Sequence, residues 1–179
     1  EATDPCIHLG FRRTPDRATL RRLIAEQDIA GLEALFNRVP VRPGDTLLVP
    51  GGVPHALGGG LLLVEIQEPS DLVVRFEFAR AGHVLPESAR FMGRDLDFCL
   101  DVFDPAPWSP ARVATEAFCP PLRRRALGPD SWQDDLIGPS RTECFRLRLS
   151  HLHAPVEKRE DAAYVGLVTV TTGDEAALR

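Results

Sequence analysis

The chain has 179 residues, a formal net charge of −5, and 44% hydrophobic residues. This length allows one domain or slightly more, and the apolar content is sufficient to fill a core. The negative charge gives no reason to expect nucleic acid or an anionic membrane surface as a partner. The sequence shows no signal-peptide pattern and no apolar stretch near the length of a bilayer span, so we expect no membrane association.

The first predicted elements are a strand and two helices. Residues 6–12 have the composition of a strand, and His8 at its centre is expected to be structural or at the surface rather than a metal ligand. The Thr-Pro pair at residues 14 and 15 predicts a helix start, with threonine as the N-cap and proline at the first helical position. Asp28 predicts the N-cap of a second, short helix. Residues 14–37 are therefore predicted to hold two helices between strands, which taken alone suggests only an α+β domain.

The most informative stretch comes next, and it combines short apolar runs with a loop composed largely of glycine and proline. Runs at residues 46–49 and 61–66 are rich in Val and Leu and are bounded by turn residues, which predicts two strands. A third strand is predicted at residues 72–78. The glycines of the loop permit positive φ and a close approach of the backbone to a ligand.

Three residues of this stretch carry side chains that can bind a metal or take part in catalysis. His55 lies in the glycine-rich loop, Glu65 on the second predicted strand, and Arg75 on the third. We expect the neighbouring strands to present these three side chains from one compact unit.

The C-terminal part is less strongly patterned. Apolar residues at helical spacing predict a helix at residues 96–103, and the prolines and weak patterning of residues 105–140 indicate a linker. The arginines at 123–125 could hold a phosphate, although a solvated turn is the preferred interpretation. Alternation predicts a strand at residues 143–152, and a final strand is predicted at residues 164–171.

Two further groups of residues allow metal or redox chemistry but favour simpler interpretations. His151 and His153 would point the same way on a strand, as a metal-binding pair can, yet no nearby carboxylate completes a site. A structural or surface role is therefore preferred. The four cysteines are scattered and fit neither a zinc knuckle nor a disulfide framework, so we expect free thiols and a cytoplasmic protein.

The central stretch resembles the second conserved motif of class I mannose-6-phosphate isomerases, which are zinc-dependent cupins. The positions that match are Gly44, Asp45, Pro50, Gly52, His55, Ala56, Glu65, Ile66, Ser70, Asp71 and Arg75. P-G-D alone is common among cupins, whereas H-A followed by E-I-Q and S-D-x-x-x-R at this spacing is specific. The resemblance implies that His55 is a metal ligand and Arg75 the active-site arginine, with Glu65 in the same pocket as the candidate for proton transfer.

The fold implied by the resemblance is mainly β: a partial cupin double-stranded β-helix, or jelly roll, with a helical insertion. Residues 1–104 would be the C-terminal part of the catalytic cupin, residues 105–140 a linker, and residues 141–179 the start of a second cupin-like domain. The chain begins without methionine. The motif that supplies the other metal ligands, a histidine and a glutamate or glutamine, is expected before residue 1.

The resemblance implies interconversion of mannose 6-phosphate and fructose 6-phosphate by the intact parent protein, with a small sugar phosphate as its partner and Zn²⁺ as its cofactor. Moving a proton between C1 and C2 forms an enediolate, which requires a base and positive charge near the two oxygens. Neutral imidazole at His55 suits zinc, guanidinium at Arg75 suits the developing charge, and Glu65 is the hypothesis for the base.

Two alternatives remain open. A cupin that kept its barrel but lost metal ligands could act as a sugar-binding or regulatory module. Another metal-dependent cupin enzyme, such as an oxygenase, is disfavoured by the missing H-x-H ahead of a glutamate. Because one histidine does not hold zinc firmly, these 179 residues by themselves predict weak or no metal binding and no isomerase activity.

Overall fold

The first strand of the chain is the centre of the first sheet. The computed structural model describes residues 4–70 and 72–167. In it, β1 (Cys6–Phe11) pairs with β2 (Phe36–Pro40) on one side and with β3 (His55–Leu57) on the other, both antiparallel. Five of the six residues of β1 are buried, as expected for a central strand. The strand predicted at residues 6–12 is therefore confirmed.

The two predicted helices between β1 and β2 are also present, as α1 (Arg17–Glu26) and α2 (Ile29–Glu33). The cap of the second helix is as predicted, because the Asp28 carboxylate accepts a hydrogen bond from the backbone N–H of Gly31 at 2.9 Å. The cap predicted for the first helix at residue 14 is wrong. Asp16 caps it instead and accepts a hydrogen bond from the Thr19 N–H at 2.8 Å.

Short elements lead from the first sheet to the second. They are β4 (Ala79–Arg80), β5 (His83–Val84), α3 (Glu87–Arg90), α4 (Leu96–Leu100), α5 (Pro110–Arg112) and a π-helical turn (Val113–Ala117). α4 confirms the helix predicted at residues 96–103, although it ends earlier. Among the described residues, no helix is both long enough and apolar enough to cross a membrane.

Two buried apolar clusters stabilise this half of the fold. The first joins the helices to the end of β1 and consists of Phe11, Leu20, Leu23, Ile24, Leu32, Phe36, Phe91, Cys99 and Leu100. The second lies against the sheet and consists of Ile7, Leu9, Val39, Val53, Trp108, Val113 and Ala117. Trp108 is the largest fully buried side chain, and its backbone N–H donates to the Phe11 carbonyl at 2.7 Å. The tryptophan thereby joins the later helical segment to β1.

Three strands predicted in the central stretch are wrong. Residues 46–49 contribute a single β-bridge, between Leu47 and Phe118, and residues 61–66 and 72–78 are irregular where they are described. The expectation that three neighbouring strands present the site therefore fails, and only β3 forms. A strand needs a partner for its backbone hydrogen bonds as well as suitable side chains. The described residues provide no ladder partner for these two runs.

The second sheet lies largely within the predicted linker. β6 (Arg123–Gly128), β7 (Ser131–Ile137) and β8 (Leu147–His151) form an antiparallel sheet in that order. β8 confirms the strand predicted at residues 143–152, whereas residues 105–140 hold two strands where weak patterning suggested none. The division of the chain into domains remains a prediction.

The described residues form a mixed structure of several antiparallel strands and few helices, without a closed barrel. For the final predicted strand, at residues 164–171, the first four residues are irregular. The rest of that segment lies outside the described residues. A cupin-like β fold is compatible with these sheets and remains a proposal.

Gly10 provides a test of how the first sheet is packed. It has φ of +61°, and a Cβ built there would lie 2.5 Å from Cγ of Trp108. Replacing Gly10 with alanine should therefore lower the free energy of unfolding by about 2–4 kcal/mol, from left-handed strain and overpacking together. Urea unfolding followed by tryptophan fluorescence measures this change.

Gly82→Ala is the matched control, because Gly82 has φ of +81° but nothing within 4 Å of the added Cβ. It should cost about 1–2 kcal/mol from backbone strain alone. Equal losses in the two variants would show that the contact with Trp108 contributes nothing.

Candidate functional site

The predicted metal ligand, His55, is the first residue of β3, an edge strand of the first sheet. β3 is held in place by backbone hydrogen bonds on either side of it, from Gly10 N–H to the Pro54 carbonyl at 2.9 Å and from Gly58 N–H to the Cys6 carbonyl at 3.0 Å. The imidazole itself is exposed. The first sheet therefore positions a histidine that solvent can reach.

The hydrogen bond of His55 determines which nitrogen is available. Nδ1 lies 3.1 Å from the carbonyl oxygen of Val53. Because a carbonyl can only accept, Nδ1 is the donor, and in a neutral imidazole this tautomer leaves the lone pair on Nε2. Metal-binding histidines commonly have this arrangement, in which a backbone carbonyl orients the ring and sets its tautomer. His55 thus fits the role of one metal ligand through Nε2.

The other histidine of this sheet cannot join it. Strand register places His8 opposite Ala56, and Leu9 opposite His55. Because side chains alternate along a strand, His8 and His55 point to opposite faces of the sheet. His8 is half-buried, with a buried Nδ1 that has no hydrogen-bond partner among the described residues. This geometry supports the structural interpretation of His8.

Arg75 lies in an irregular segment that is fastened to the end of α3. Its backbone N–H donates to the carbonyl of Arg90 at 3.0 Å, and its Nη1 donates to the carbonyl of Ala89 at 2.7 Å. The residue is exposed, so the remaining guanidinium N–H groups face solvent. Glu77, a conceivable ion-pair partner for Arg75, instead pairs with Arg80 at 3.6 Å. The structure thus anchors Arg75 and leaves part of its guanidinium open.

Glu65 is exposed in the irregular run at residues 61–70. Among the described residues, no hydrogen bond or ion pair joins it to His55 or Arg75, and no such contact joins those two to each other. The structure therefore positions His55 and Arg75 separately. The roles of all three residues remain predictions.

A zinc site is not complete in the described part of the chain. His55 fits one coordination position, but no group of three or more His, Cys, Asp or Glu side chains there could hold a metal ion. Because stable zinc sites use three or four protein ligands, the described residues by themselves do not fit zinc. The expectation that these 179 residues bind metal weakly or not at all remains a prediction.

Sequence reasoning missed a polar cluster in the second sheet. Asp134 of β7 has a side chain that is 4% exposed, and its carboxylate accepts from Arg124 Nε at 2.7 Å and Nη2 at 3.0 Å. Trp132 Nε1 donates to the same carboxylate at 3.3 Å, and His151 Nε2 lies 3.4 Å from it. The hydrogen bonds from Arg124, the largest influence, lower the pKa of Asp134. The only sequence signal near this cluster was the alternation at residues 143–152, which contain His151.

This cluster changes two interpretations. Arg124, one of the three consecutive arginines, lies on β6 rather than in a solvated turn, so that expectation is wrong. Its guanidinium is occupied by Asp134 rather than free for phosphate. His151 and His153 both stack on the Trp132 ring, with ring centroids 4.6 Å and 5.5 Å away. The expectation that no carboxylate lies near them is wrong, since Asp134 is beside His151. The stacking and the engagement of Asp134 by Arg124 nevertheless support their structural interpretation.

The lowered pKa of Asp134 predicts how stability depends on pH. The carboxyl group has an ordinary pKa of 3.8 and a lower pKa in the folded protein. Its stabilising contribution to the free energy of unfolding is therefore complete above pH 3.8 and is lost as the pH falls through the folded pKa. Asp134→Asn should destabilise the protein at neutral pH. It should also reduce the loss of stability that occurs as the pH is lowered. Urea midpoints measured across the acidic range test both effects.

Asp161→Asn is the control, because Asp161 is 91% exposed and pairs with the equally exposed Arg159. Its unfolding midpoint should match that of the unmodified chain at every pH. If Asp134→Asn behaved in the same way, the buried pair would contribute nothing to folding.

Comparison with known proteins shows local similarity to one kind of enzyme. The chain is 33% identical over 98 residues to the mannose-6-phosphate isomerase of Streptococcus mutans, which covers 54% of this chain and 30% of that protein. It is 46% identical over 43 residues to mannose-6-phosphate isomerase ManA of Bacillus subtilis, which covers 24% of this chain and 14% of the relative. A second B. subtilis protein, named "Probable mannose-6-phosphate isomerase GmuF", is 46% identical over 41 residues, or 23% and 13% of the two chains.

The match thus spans less than a third of each relative's length. No protein-family model matches the chain. No solved structure matches it either. The similarity supports the mannose-6-phosphate isomerase resemblance.

Proposed function

We propose that the protein to which this chain belongs is a class I mannose-6-phosphate isomerase, a cytoplasmic cupin enzyme that uses Zn²⁺ to interconvert mannose 6-phosphate and fructose 6-phosphate. The observation that carries the proposal is the similarity to relatives from two species that bear the name of this activity. The whole reaction belongs to the parent protein, because the matched region is only part of each relative.

Isomerisation removes the proton on C2 of the aldose, forms an enediolate, and returns a proton to C1 to give the ketose. In this proposal Glu65 removes and returns the carbon-bound proton, which is the task of a general base and then of a general acid. The exposed position of Glu65 in the described chain means that the parent protein must bring it to the substrate.

Arg75 stabilises the negative charge that develops on the two adjacent oxygens. A guanidinium is charged at every working pH and can donate to two oxygens at once. The bond from Nη1 to the Ala89 carbonyl uses only one of its donors and restricts its position, so the open N–H groups can meet the enediolate without large rearrangement.

His55 contributes to the metal site through Nε2, with its ring oriented by the Val53 carbonyl. The remaining ligands come from a segment of the parent protein outside this chain. When bound, the metal would polarise the substrate carbonyl, and the described residues offer no group of three or more side chains that could hold it by themselves.

Exposed apolar side chains support a larger assembled fold. Leu62, Val64 and Leu72 are 102%, 61% and 80% exposed, although their runs have the composition of buried strands. Runs that expose several large apolar side chains are expected to pack against another surface. In the proposal, strands of the parent protein cover these runs and complete the cupin sheet.

A coupled assay on the intact parent protein tests the proposal. Fructose 6-phosphate formed from mannose 6-phosphate should be detected with the unmodified protein. His55→Ala should lower both the bound zinc and the rate, whereas His83→Ala, in an exposed two-residue strand, should change neither. Loss of neither property in His55→Ala would exclude His55 as a ligand.

A sugar-binding or regulatory module is the second candidate, favoured by the absence of a three-ligand cluster among the described residues. Calorimetry distinguishes the two functions. Saturable binding of mannose 6-phosphate by a zinc-loaded parent protein that shows no turnover would favour the module over the enzyme.

A further inference from the structure

A cavity at one end of the second sheet is separate from the candidate isomerase residues. Its volume is about 330 Å³, and it is lined by Leu122, Asp135, Ile137, Gly138, Pro139, Ser140, Arg146 and Arg148. This volume lies within the range of small-molecule sites. None of His55, Glu65 and Arg75 lines it, so a ligand bound in this cavity would be independent of the isomerase proposal.

Two arginines give the cavity its chemistry. Arg148 is held by Asp135 at 3.2 Å and by Glu160 at 3.2 Å, which fixes its guanidinium and balances its charge. Arg146, two residues earlier, forms no hydrogen bond or ion pair within the described ranges. Arg146 therefore brings an uncompensated positive charge to the cavity wall, where Ser140 adds a hydroxyl group.

The sheet face around the cavity is also positive. Residues directly opposite each other on paired strands share a face, and the register pairs Arg123 with Asp135 and Arg125 with Gln133. Lys158 donates to the Gln133 side chain at 3.1 Å and so lies on the same face. Strand register, hydrogen bonds and the cavity lining place seven charged groups together. Five are cations (Arg123, Arg125, Arg146, Arg148 and Lys158) and two are carboxylates (Asp135 and Glu160).

This local excess of positive charge contrasts with the net charge of −5 for the whole chain. Guanidinium groups bind phosphate oxygens through paired, charge-assisted hydrogen bonds. The cavity also has an apolar wall, to which Leu122, Ile137 and Pro139 belong. An anion with an attached organic group can contact both the charged and the apolar lining, whereas a free inorganic anion would leave the apolar wall without a partner.

We propose that this cavity binds a small phosphate monoester, with the phosphate on Arg146 and Ser140 and the organic group against the apolar wall. Arg148 is not the anchor for the phosphate, because its guanidinium is already held by two carboxylates. The asymmetry between one free and one neutralised arginine gives the site a single strong anchor for the phosphate.

Titration of the full 179-residue chain with phenyl phosphate, followed by amide NMR shifts, tests the proposal. Shifts should saturate and cluster at residues that line the cavity. Arg146→Ala should weaken binding by about tenfold or more, as expected for loss of a charged hydrogen bond. Arg146→Lys should retain part of the affinity, and inorganic phosphate should compete but bind more weakly.

Arg159→Ala is the control, since Arg159 is 93% exposed and does not line the cavity. It should bind phenyl phosphate as the unmodified chain does. Equal weakening in Arg146→Ala and Arg159→Ala would indicate general charge attraction and overturn the proposal. Shifts that never saturate, or that cluster elsewhere, would also overturn it, and matching amide spectra without ligand exclude misfolding of the variant as the cause.

Discussion

Replacing Arg75 with alanine in the intact parent protein is expected to lower kcat for mannose 6-phosphate by on the order of 10²–10³-fold, the usual cost of removing one donor to a developing oxyanion. The loss should fall mainly on kcat rather than on KM, because the charge on the two oxygens develops only in the transition state. Steady-state kinetics with the coupled assay measures both parameters.

Arg80→Ala is the matched control for Arg75→Ala. Arg80 lies later in the same segment, its side chain is 81% exposed, and its ion pair with Glu77 is long at 3.6 Å. Its removal should leave kcat within about twofold, since exposed ion pairs contribute little. If the two variants were equally active, Arg75 would have no role in charge stabilisation, and the bond to the Ala89 carbonyl would be purely structural.

Replacing Glu65 with glutamine is expected to reduce turnover by about 10²–10⁴-fold, because the amide keeps the shape of the side chain but cannot accept the carbon-bound proton. Binding of mannose 6-phosphate should change little, which calorimetry on the same preparation measures.

Glu68→Gln is the comparison for Glu65→Gln, since Glu68 is exposed in the same irregular run and is outside the matched motif. It should keep near-normal turnover. If Glu65→Gln also kept it, Glu65 would not be the base, although His55 and Arg75 could retain their proposed roles.

Local signals predicted the elements that depend on local hydrogen bonds. The helix after Asp28 begins as predicted because the aspartate satisfies a free N–H at the helix start, which is a contact between residues three apart. The first helix shows the limit of such signals. Residues 14–16 include both threonine and aspartate, and Asp16 is the cap because its carboxylate accepts from the Thr19 N–H at the helix start.

Strands whose partners are distant could not be predicted from composition. Residues 61–66 have strand composition but are irregular, because composition does not supply the ladder that a strand requires. The reverse error occurred at β7, where Gln133 and Asp134 are buried. Their polar groups are satisfied by Ser150 and Arg124 on the neighbouring strands, which no hydrophobic pattern could reveal.

The site shows the same division between local and distant information. The motif identified His55 and Arg75 but did not reveal the backbone carbonyls with which their side chains form hydrogen bonds. The imidazole is oriented by the Val53 carbonyl, and the guanidinium is anchored by Ala89, fourteen residues away. The free guanidinium of Arg146 was missed because it becomes distinctive only when β7 and β8 form a cavity beside it.

The most direct test of the proposed isomerase activity is proton NMR of mannose 6-phosphate incubated with the zinc-loaded parent protein in D₂O. We expect formation of fructose 6-phosphate and incorporation of solvent deuterium at the carbons that exchange a proton through the enediolate. A folded, zinc-loaded protein that leaves mannose 6-phosphate unchanged, with no deuterium incorporated, would contradict the proposal.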